Sequence, residues 1–563
     1  MASLFLVPDR DQSFFLATSY RELLGDGELV WTVIEVVAGL DLSSIYDLYR
    51  VDEGQGGRPA FDPAMMLTLL VFGYCEGKRS ARELEAACRR DVAYQAICGG
   101  MTPDHSTIAR FRVLIDDVLG LLFVQVLEAC AERGLVDVGR VAVDGTKIQA
   151  AASKGSNYTG ERLDELHREV EQILETTRPD SDESPDTGDG PDDDLDSDLD
   201  LDLDIGDGSD IGDGSDIDLD SDLDLDLDVD LGSDIGDVIE GIGVEGGDNG
   251  DGGGWSQLRR YRETERRLRR VEAAQVEVER SRQQREHDEK RRGRKRGGQP
   301  KGNLTDPESR LQKRADGGFI QGYNAQAVVS GDQIVVAVSV TAETTDVGQL
   351  QSMVELTLKN LEAINAGPPS DLVGDAGYWS LNNSRLENDL DGTLLLIAPG
   401  DKRHKVGLAP PALPDGASDA ARARHAMQTR LADPEHRHSY RQRGWLIEGC
   451  FAHTKTHRQF RQFSRRGLAA CQAEWTLTHL AGNICKIHQA SHGRSTPPQP
   501  PTKPIREPHS PSHRHTNPST TRSCPKHATH PTTPRRHVTQ VKRHFLEGGQ
   551  CRGYPSVAAL LVA

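Results

Sequence analysis

Apolar side chains return at helical spacing through residues 61–120: Met65, Met66, Leu69 and Leu70, then Leu84, Ala87 and Cys88, then Ile108, Phe111 and Ile115. Such runs, broken by short polar stretches, predict a set of small helices. The break Gly99-Gly100-Met101-Thr102-Pro103-Asp104 supplies a flexible pair, then Thr102 as a cap and Pro103 at the first helical position. The pattern predicts a sharply started helix over 104–115 that follows a turn and carries Arg110 and Arg112, as in a helix-turn-helix module. A plain bundle with solvated arginines would read the same way.

The period changes at 139–148, where Val141, Ala142 and Val143 run into Asp144-Gly145-Thr146 and Ile148. That is the pattern of a buried strand. Residues 318–329 and 333–342 alternate like paired strands joined near Ser330-Gly331-Asp332, and 347–364 has helical period. A short strand starts at 371–373, followed by a helix near 381–390, a buried strand at 393–397, a polar loop rich in Pro and Ala, and a helix from about 440 to 456. With residues 155–302 set aside, the order is β-β-β-α-β-α-β-α. It predicts an α/β fold, a mixed sheet flanked by helices, behind an all-α N-terminal domain.

Charge changes the picture of the segment set aside. The chain has 563 residues and a formal charge of −22, from 88 acidic and 66 basic side chains. Residues 180–251 hold 30 Asp and Glu and no Lys or Arg, so the rest carries 58 acidic and 66 basic groups, a surplus of +8. A mildly basic body suits a nucleic-acid partner. The acidic run repeats Asp-Leu, Ile-Gly-Asp and Gly-Ser-Asp units, with too little apolar surface to offset the entropy of ordering, and is expected to be disordered. It lacks the full pattern of a calcium loop. A charged helix is expected over 161–177. From 256 to 301 the charge inverts, with 17 Lys and Arg against 8 Asp and Glu, and a long arginine-rich helix ending at Gly293 is expected. The basic linker 294–301 suits phosphate contacts, and the acidic run beside the arginines is placed to shield them. Residues 491–544 are Pro, His, Ser, Thr and Arg without core pattern, a disordered basic tail.

These readings divide the chain into an N-terminal helical domain (1–138) whose helix-turn-helix pattern suits DNA binding, a mixed α/β domain (139–154 and 303–490), an insertion (155–302) and a tail (491–563). Nine Cys without a C-x-x-C pair indicate neither a disulfide framework nor a zinc site, and point to a reducing cytoplasm. No apolar run reaches the roughly 18 residues of a membrane helix, and the first ten residues lack a signal-peptide pattern, so no membrane partner is expected.

Three acids stand out. Asp144 lies in the first strand among apolar neighbours, Asp375 follows the strand Asp371-Leu372-Val373-Gly374, and Glu448 lies within Trp445-Leu446-Ile447-Glu448-Gly449-Cys450-Phe451. A carboxylate among buried residues costs several kcal/mol unless paired, so three converging carboxylates imply divalent cations. Oxygen-only ligation favours Mg²⁺ or Mn²⁺.

With their contexts, these acids give a sequence that resembles the DDE transposases of bacterial insertion sequences. The matching stretches are Val143-Asp144-Gly145-Thr146-Lys147, Asn303-Leu304-Thr305-Asp306-Pro307, Gly322-Tyr323-Asn324-Ala325-Gln326, Gly374-Asp375-Ala376-Gly377-Tyr378, and Glu448 through Arg465-Arg466-Gly467-Leu468. The stretch Asp104-His105-Ser106-Thr107-Ile108-Ala109-Arg110-Phe111-Arg112 looks like the N-terminal helical domain of these enzymes.

The resemblance implies an RNase H-like catalytic fold, two metal ions held by Asp144, Asp375 and Glu448, and double-stranded DNA, both element ends and target, as partner of a homodimer. It maps Tyr440, Arg443 and Lys455 onto the signature around the glutamate, with the Arg-to-Glu gap one residue longer than usual. Glu448 and Lys455, seven apart, would share one helical face. Tyr378 and Trp379 are candidates to stack on an unpaired base, and His453 to assist near the metals. Of the 230 residues between Asp144 and Asp375, 148 belong to the insertion, leaving 82, enough for two strands, a helix and the approach to a fourth strand. A structure-selective nuclease or an inactive DNA-binding relic would share most of these features.

Overall fold

The computed structural model describes residues 5–6, 19–49, 59–178, 253–292, 298–314, 317–390, 392–400 and 410–493. The acidic run, most of the basic linker, part of the Pro- and Ala-rich loop and nearly all of the tail lie outside the described residues.

The N-terminal helices are α1 (Tyr20–Leu24), α2 (Leu29–Ala38), α3 (Pro63–Glu76), α4 (Ala81–Arg90), α5 (Val92–Cys98), α6 (His105–Leu114) and α7 (Leu119–Glu132), with a single helical turn at Ser43–Tyr46 between α2 and α3. Helix α3 starts by rule: Pro63 occupies the first turn and the Asp62 carboxylate accepts from the Met65 amide. It is buried nearly all round, through Met65, Met66, Leu69, Leu70 and Phe72 among others. Helix α6 begins one residue later than the sequence suggested, and its cap is Asp104, not Thr102. The Asp104 carboxylate accepts from the Thr107 amide at 2.9 Å, a better cap than a threonine two residues upstream offers.

The sheet contains β1 (Arg140–Gln149), β2 (Arg310–Lys313), β3 (Phe319–Ser330), β4 (Val335–Thr341), β5 (Asp371–Gly374) and β6 (Leu394–Ile397). Its order is β6-β5-β1-β3, and the far edge of β3 is shared by β2 and β4. Strands β1, β3 and β4 are antiparallel neighbours, and β5 and β6 run parallel to β1. This is the RNase H-like order the resemblance implied, with β2 added at the edge. Gly322 is required where β3 crosses β1, because a Cβ there would stand 2.2 Å from the Ile148 carbonyl oxygen.

Around the sheet lie α10 (Leu350–Ala363), α11 (Asp419–Ala432), α12 (Pro434–Ala452) and α13 (Leu468–Ser491). The segment expected as a helix near 381–390 forms one α-turn (Leu381–Arg385) and a 3-10 turn (Leu386–Asp389). Helix α13 packs against β4, α2, α3 and α7 at once, joining the N-terminal helices to the sheet. Its Trp475 is fully buried and donates Nε1–H to the Gln326 carbonyl at 3.0 Å. Its Asn483 acts as an extra strand residue, accepting from the Val335 amide at 3.0 Å and donating to the Val335 carbonyl at 2.8 Å.

The insertion leaves and re-enters through a small antiparallel pair, Asn157–Thr159 with Lys301–Asn303. The two ends of a long excursion are thereby held side by side. Beyond them α8 (Gly160–Thr177) and α9 (Gly253–Arg292) pair antiparallel, burying Leu163, Leu166, Val271, Ala274 and Val278. The Gln275 amide donates to Asp164, and His167 faces Glu272.

The seven described cysteines are free thiols. No helix among the described residues is long and apolar enough to cross a membrane.

Candidate active site

The register of two parallel strands sets the first two acids level. Val143 on β1 pairs with Gly374 on β5, so the next residues, Asp144 and Asp375, occupy neighbouring positions on the same face. Helix α12 covers that face and brings Arg443, buried, between them. Its Nη1 donates to Asp144 Oδ2 at 2.8 Å and its Nη2 stands 3.2 Å from Asp375 Oδ1. The Gly145 amide donates to Asp144 Oδ1 at 2.8 Å.

Burial nevertheless raises the Asp144 pKa to about 6, outweighing the Arg443 guanidinium and the Gly145 hydrogen bond, and the charges of Asp375 and Asp346 add to the rise. The carboxylate is held where its charge is costly and where more positive charge would relieve it. Asp375 is about half exposed, with its side chain 48% accessible, so it is reachable from solvent.

Glu448 stands apart. It is exposed, its carboxylate lies back over Gly444, 3.5 Å from where a Cβ there would be, and its charge reaches Arg443. It makes no hydrogen bond to either aspartate, and among the described residues no three acid, His or Cys side chains close around one point. The expected trio is therefore a converged pair with the third acid on the covering helix. The donor chemistry fits a hard divalent cation, since two carboxylates, one mostly buried and one half-exposed, place oxygen donors side by side around one positive charge.

Lys455 lies in a π-helical turn, His453–His457, that extends α12 and changes its pitch. Lys455 Nζ donates to Thr146 Oγ1 at 2.5 Å, two residues along β1 from Asp144 and on the same face. Burial lowers its pKa, and the neighbouring Arg314 and Arg461 lower it further. Tyr440 packs partly buried against the core on the same helix as Arg443.

Other candidates are placed differently from expectation. Tyr378 is fully buried and bonds the Gln326 side chain, so its ring is not free for stacking, while Trp379 is half-buried and packs against the core. Arg112 is also buried and donates to the Arg79 carbonyl at 2.7 Å, since its position on α6 faces the protein, whereas Arg110 is exposed. His453 stays neutral, its pKa pushed down to about 4 by burial and the Arg458 charge.

One acid near the site escaped sequence reasoning. Asp346, in the loop after β4, accepts from Asn324 at 2.7 Å and Gln326 at 2.9 Å and lies 3.7 Å from Lys147. Its usable signal was the Asn324-Ala325-Gln326 alternation, two amides on one strand face beside Gly145. A Cβ at Gly145 would stand 2.3 Å from Gln326 Nε2 and 2.7 Å from Asp346 Oδ1, so the glycine makes room for this cluster.

Two family models match the chain: a Transposase domain (DUF772) over residues 20–114 and a Transposase DDE domain over residues 417–488. The first spans α1 to α6 and includes Arg110; the second spans α11, α12 and most of α13 and includes Arg443, Glu448 and Lys455. Asp144 and Asp375 fall outside both. No curated protein and no solved structure matches the chain. DDE transposase domains generally use divalent metal ions.

Proposed function

We propose that this chain, a DDE transposase of insertion sequences, cuts double-stranded DNA at the ends of its element and joins those ends to target DNA, acting as a homodimer on DNA. The observation that carries the reading is the level placement of Asp144 and Asp375 on adjacent parallel strands, sharing one cationic partner under a helix that belongs to the matched DDE segment.

Asp144, Asp375 and Glu448 are the residues to hold divalent ions, Mg²⁺ or Mn²⁺. Bound as a pair, such ions would activate the attacking oxygen and stabilise the leaving oxygen of an in-line phosphodiester displacement. Water is the first nucleophile and the freed 3′-OH the second. Asp144 supplies a carboxylate that ionises fully near neutral pH and is poorly satisfied without added positive charge. Arg443 bridges and orients the two aspartates, and it is placed to turn its charge to a phosphate once they are otherwise neutralised. Lys455, half-buried beside Thr146, offers a second phosphate contact on the same face.

The test is cleavage and joining of a duplex ending in the element's terminal repeat. Asp144→Asn, Asp375→Asn and Glu448→Gln are each expected to lose both products while retaining DNA binding. Persistence of metal-dependent cleavage in these variants would overturn the assignment, and cut ends without joined product would make the enzyme a nuclease.

A further inference from the structure

Helix α9 extends well past the body that anchors it. It packs chiefly on α8 and on the strand Lys301–Asn303, and its contact with the body is centred on Ala274 and Glu277. Arg310 pairs with Glu277, and Gly302 is needed because a Cβ there would come 2.6 Å from the Ala274 carbonyl oxygen. From Ala274, Arg259 lies about 22 Å away along the axis at 1.5 Å per residue.

Residues 259–270 hold seven arginines, Arg259, Arg260, Arg262, Arg266, Arg267, Arg269 and Arg270, against Glu263 and Glu265, a surplus of +5. Position decides which way they face. The buried stripe runs through Val271, Ala274 and Val278, and at 100° per residue Arg266 stands about 140° round the helix from Val271. Arg259, Arg262, Arg266 and Arg270 follow one another at three- and four-residue steps, a single stripe about 16 Å long. Arg259, Arg262 and Arg270 are exposed and Arg266 is half-exposed.

The second half of the helix differs. Residues 271–292 hold six Lys and Arg against six Asp and Glu, with Arg280 on Glu277 and Arg282 on Glu279, so that half is neutral, whereas 259–270 keeps a net +5 although Arg269 pairs with Glu265. Charge alone would be a solvated face. An uneven distribution, with the surplus gathered on one outward stripe of an otherwise anchored arm, is what a polyanion fits.

We propose that this stripe binds the phosphodiester backbone of duplex DNA, as a sequence-independent arm that holds DNA beside the catalytic domain. The inference rests on the transposase reading above and adds a surface to it. Duplex DNA presents one negative charge per roughly 1.7 Å of axis, so the stripe spans enough charge to engage several phosphates, and arginine is suited to them by its fork of donors. Such contacts position DNA without reading its sequence.

The experiment uses the full chain carrying Arg259→Gln, Arg266→Gln and Arg270→Gln together. These positions are outward and glutamine keeps helix propensity, so folding is retained, which circular dichroism checks. Affinity for the duplex that the wild type cleaves is measured across a range of salt. The slope of log affinity against log salt is expected to fall by about 2 to 3, close to 0.9 per lost phosphate contact, while cleavage at saturating DNA is unchanged. An unchanged slope and affinity would overturn the proposal. So would a slope that responds to the substitutions only after residues 180–251 are deleted, which would make the acidic segment the occupant of the stripe. Cleavage by the wild type in the same assay separates these failures from a failure of the transposase reading.

Discussion

Helices α13 and α9 run for 24 and 40 residues in opposite surroundings. The shorter one is embedded, with Cys471, Trp475, Leu477, Leu480, Ile484 and Ile487 buried on several sides and the sheet, α3 and α7 against it. The longer one touches the protein through one stripe and turns arginines outward along the rest. A buried helix draws its stability from packing on every face and serves as scaffold. An anchored, mostly exposed helix draws it from a narrow seam and from its own ion pairs, which leaves its surface free for charge chemistry.

Breaking the scaffold should have the largest effect. Trp475→Ala removes a fully buried indole, its hydrogen bond to Gln326, and its contacts with Phe451, Phe460 and His479. A loss of about 3–5 kcal/mol is expected, seen as a large drop in the denaturant midpoint of the sheet and its helices. A variant with wild-type stability would contradict the scaffold role of α13.

Neutralising the site should act in the other direction. Because burial lifts the Asp144 pKa from 3.8 to about 6, the native chain holds that proton more tightly than the unfolded chain does. Stability from this group is therefore lost as pH rises through that interval, and at pH 7 the charged form costs about 3 kcal/mol. Asp144→Asn, which mimics the neutral acid, should raise the metal-free melting temperature at pH 7 by the equivalent of about 2–3 kcal/mol, with the gain vanishing near pH 4. A lower melting temperature at pH 7 would mean that the Arg443 pair outweighs desolvation.

The arm should respond least. Val271→Ala removes two methyl groups from the seam and should cost about 1.5 kcal/mol, confined to α8 and α9. Hydrogen exchange would show faster exchange in those helices alone, with cleavage rates preserved. Faster exchange throughout the sheet would show that the arm and the body unfold as one unit.

How much of this could be read from the sequence follows the same division. Strand β1 was legible because Val141, Ala142 and Val143 are apolar on both faces, and Asp144 stood out against them. The helix pair of the insertion was legible because an exposed helix keeps a clean apolar stripe. Helix α13 was not, because Glu474, Thr478 and Asn483 are buried but satisfied by Arg79 and Ser464, by the Glu474 carbonyl, and by Val335, which hides the apolar period. Strand β2 is four residues of alternating polarity and was too short to register, and all of α11 and the first turns of α12 lie in the stretch that read as loop. At the site, Asp144, Asp375 and Arg443 were legible as candidates, while their convergence rests on strand register. Glu448 was legible by its neighbours, but its distance from the aspartates depends on the path of α12, which no local pattern specifies. Asp346 was missed because a loop acid has no pattern until Asn324 and Gln326 fold beside it.

Asp144, Asp375 and Glu448 are proposed to serve one cation site although only the first two converge in this structure. Mn²⁺ binding followed by electron paramagnetic resonance tests it without DNA or turnover. Saturable binding to the wild type is expected, abolished by Asp144→Asn and by Asp375→Asn and weakened at least tenfold by Glu448→Gln; full Mn²⁺ affinity in the Asp144→Asn variant would contradict a shared site.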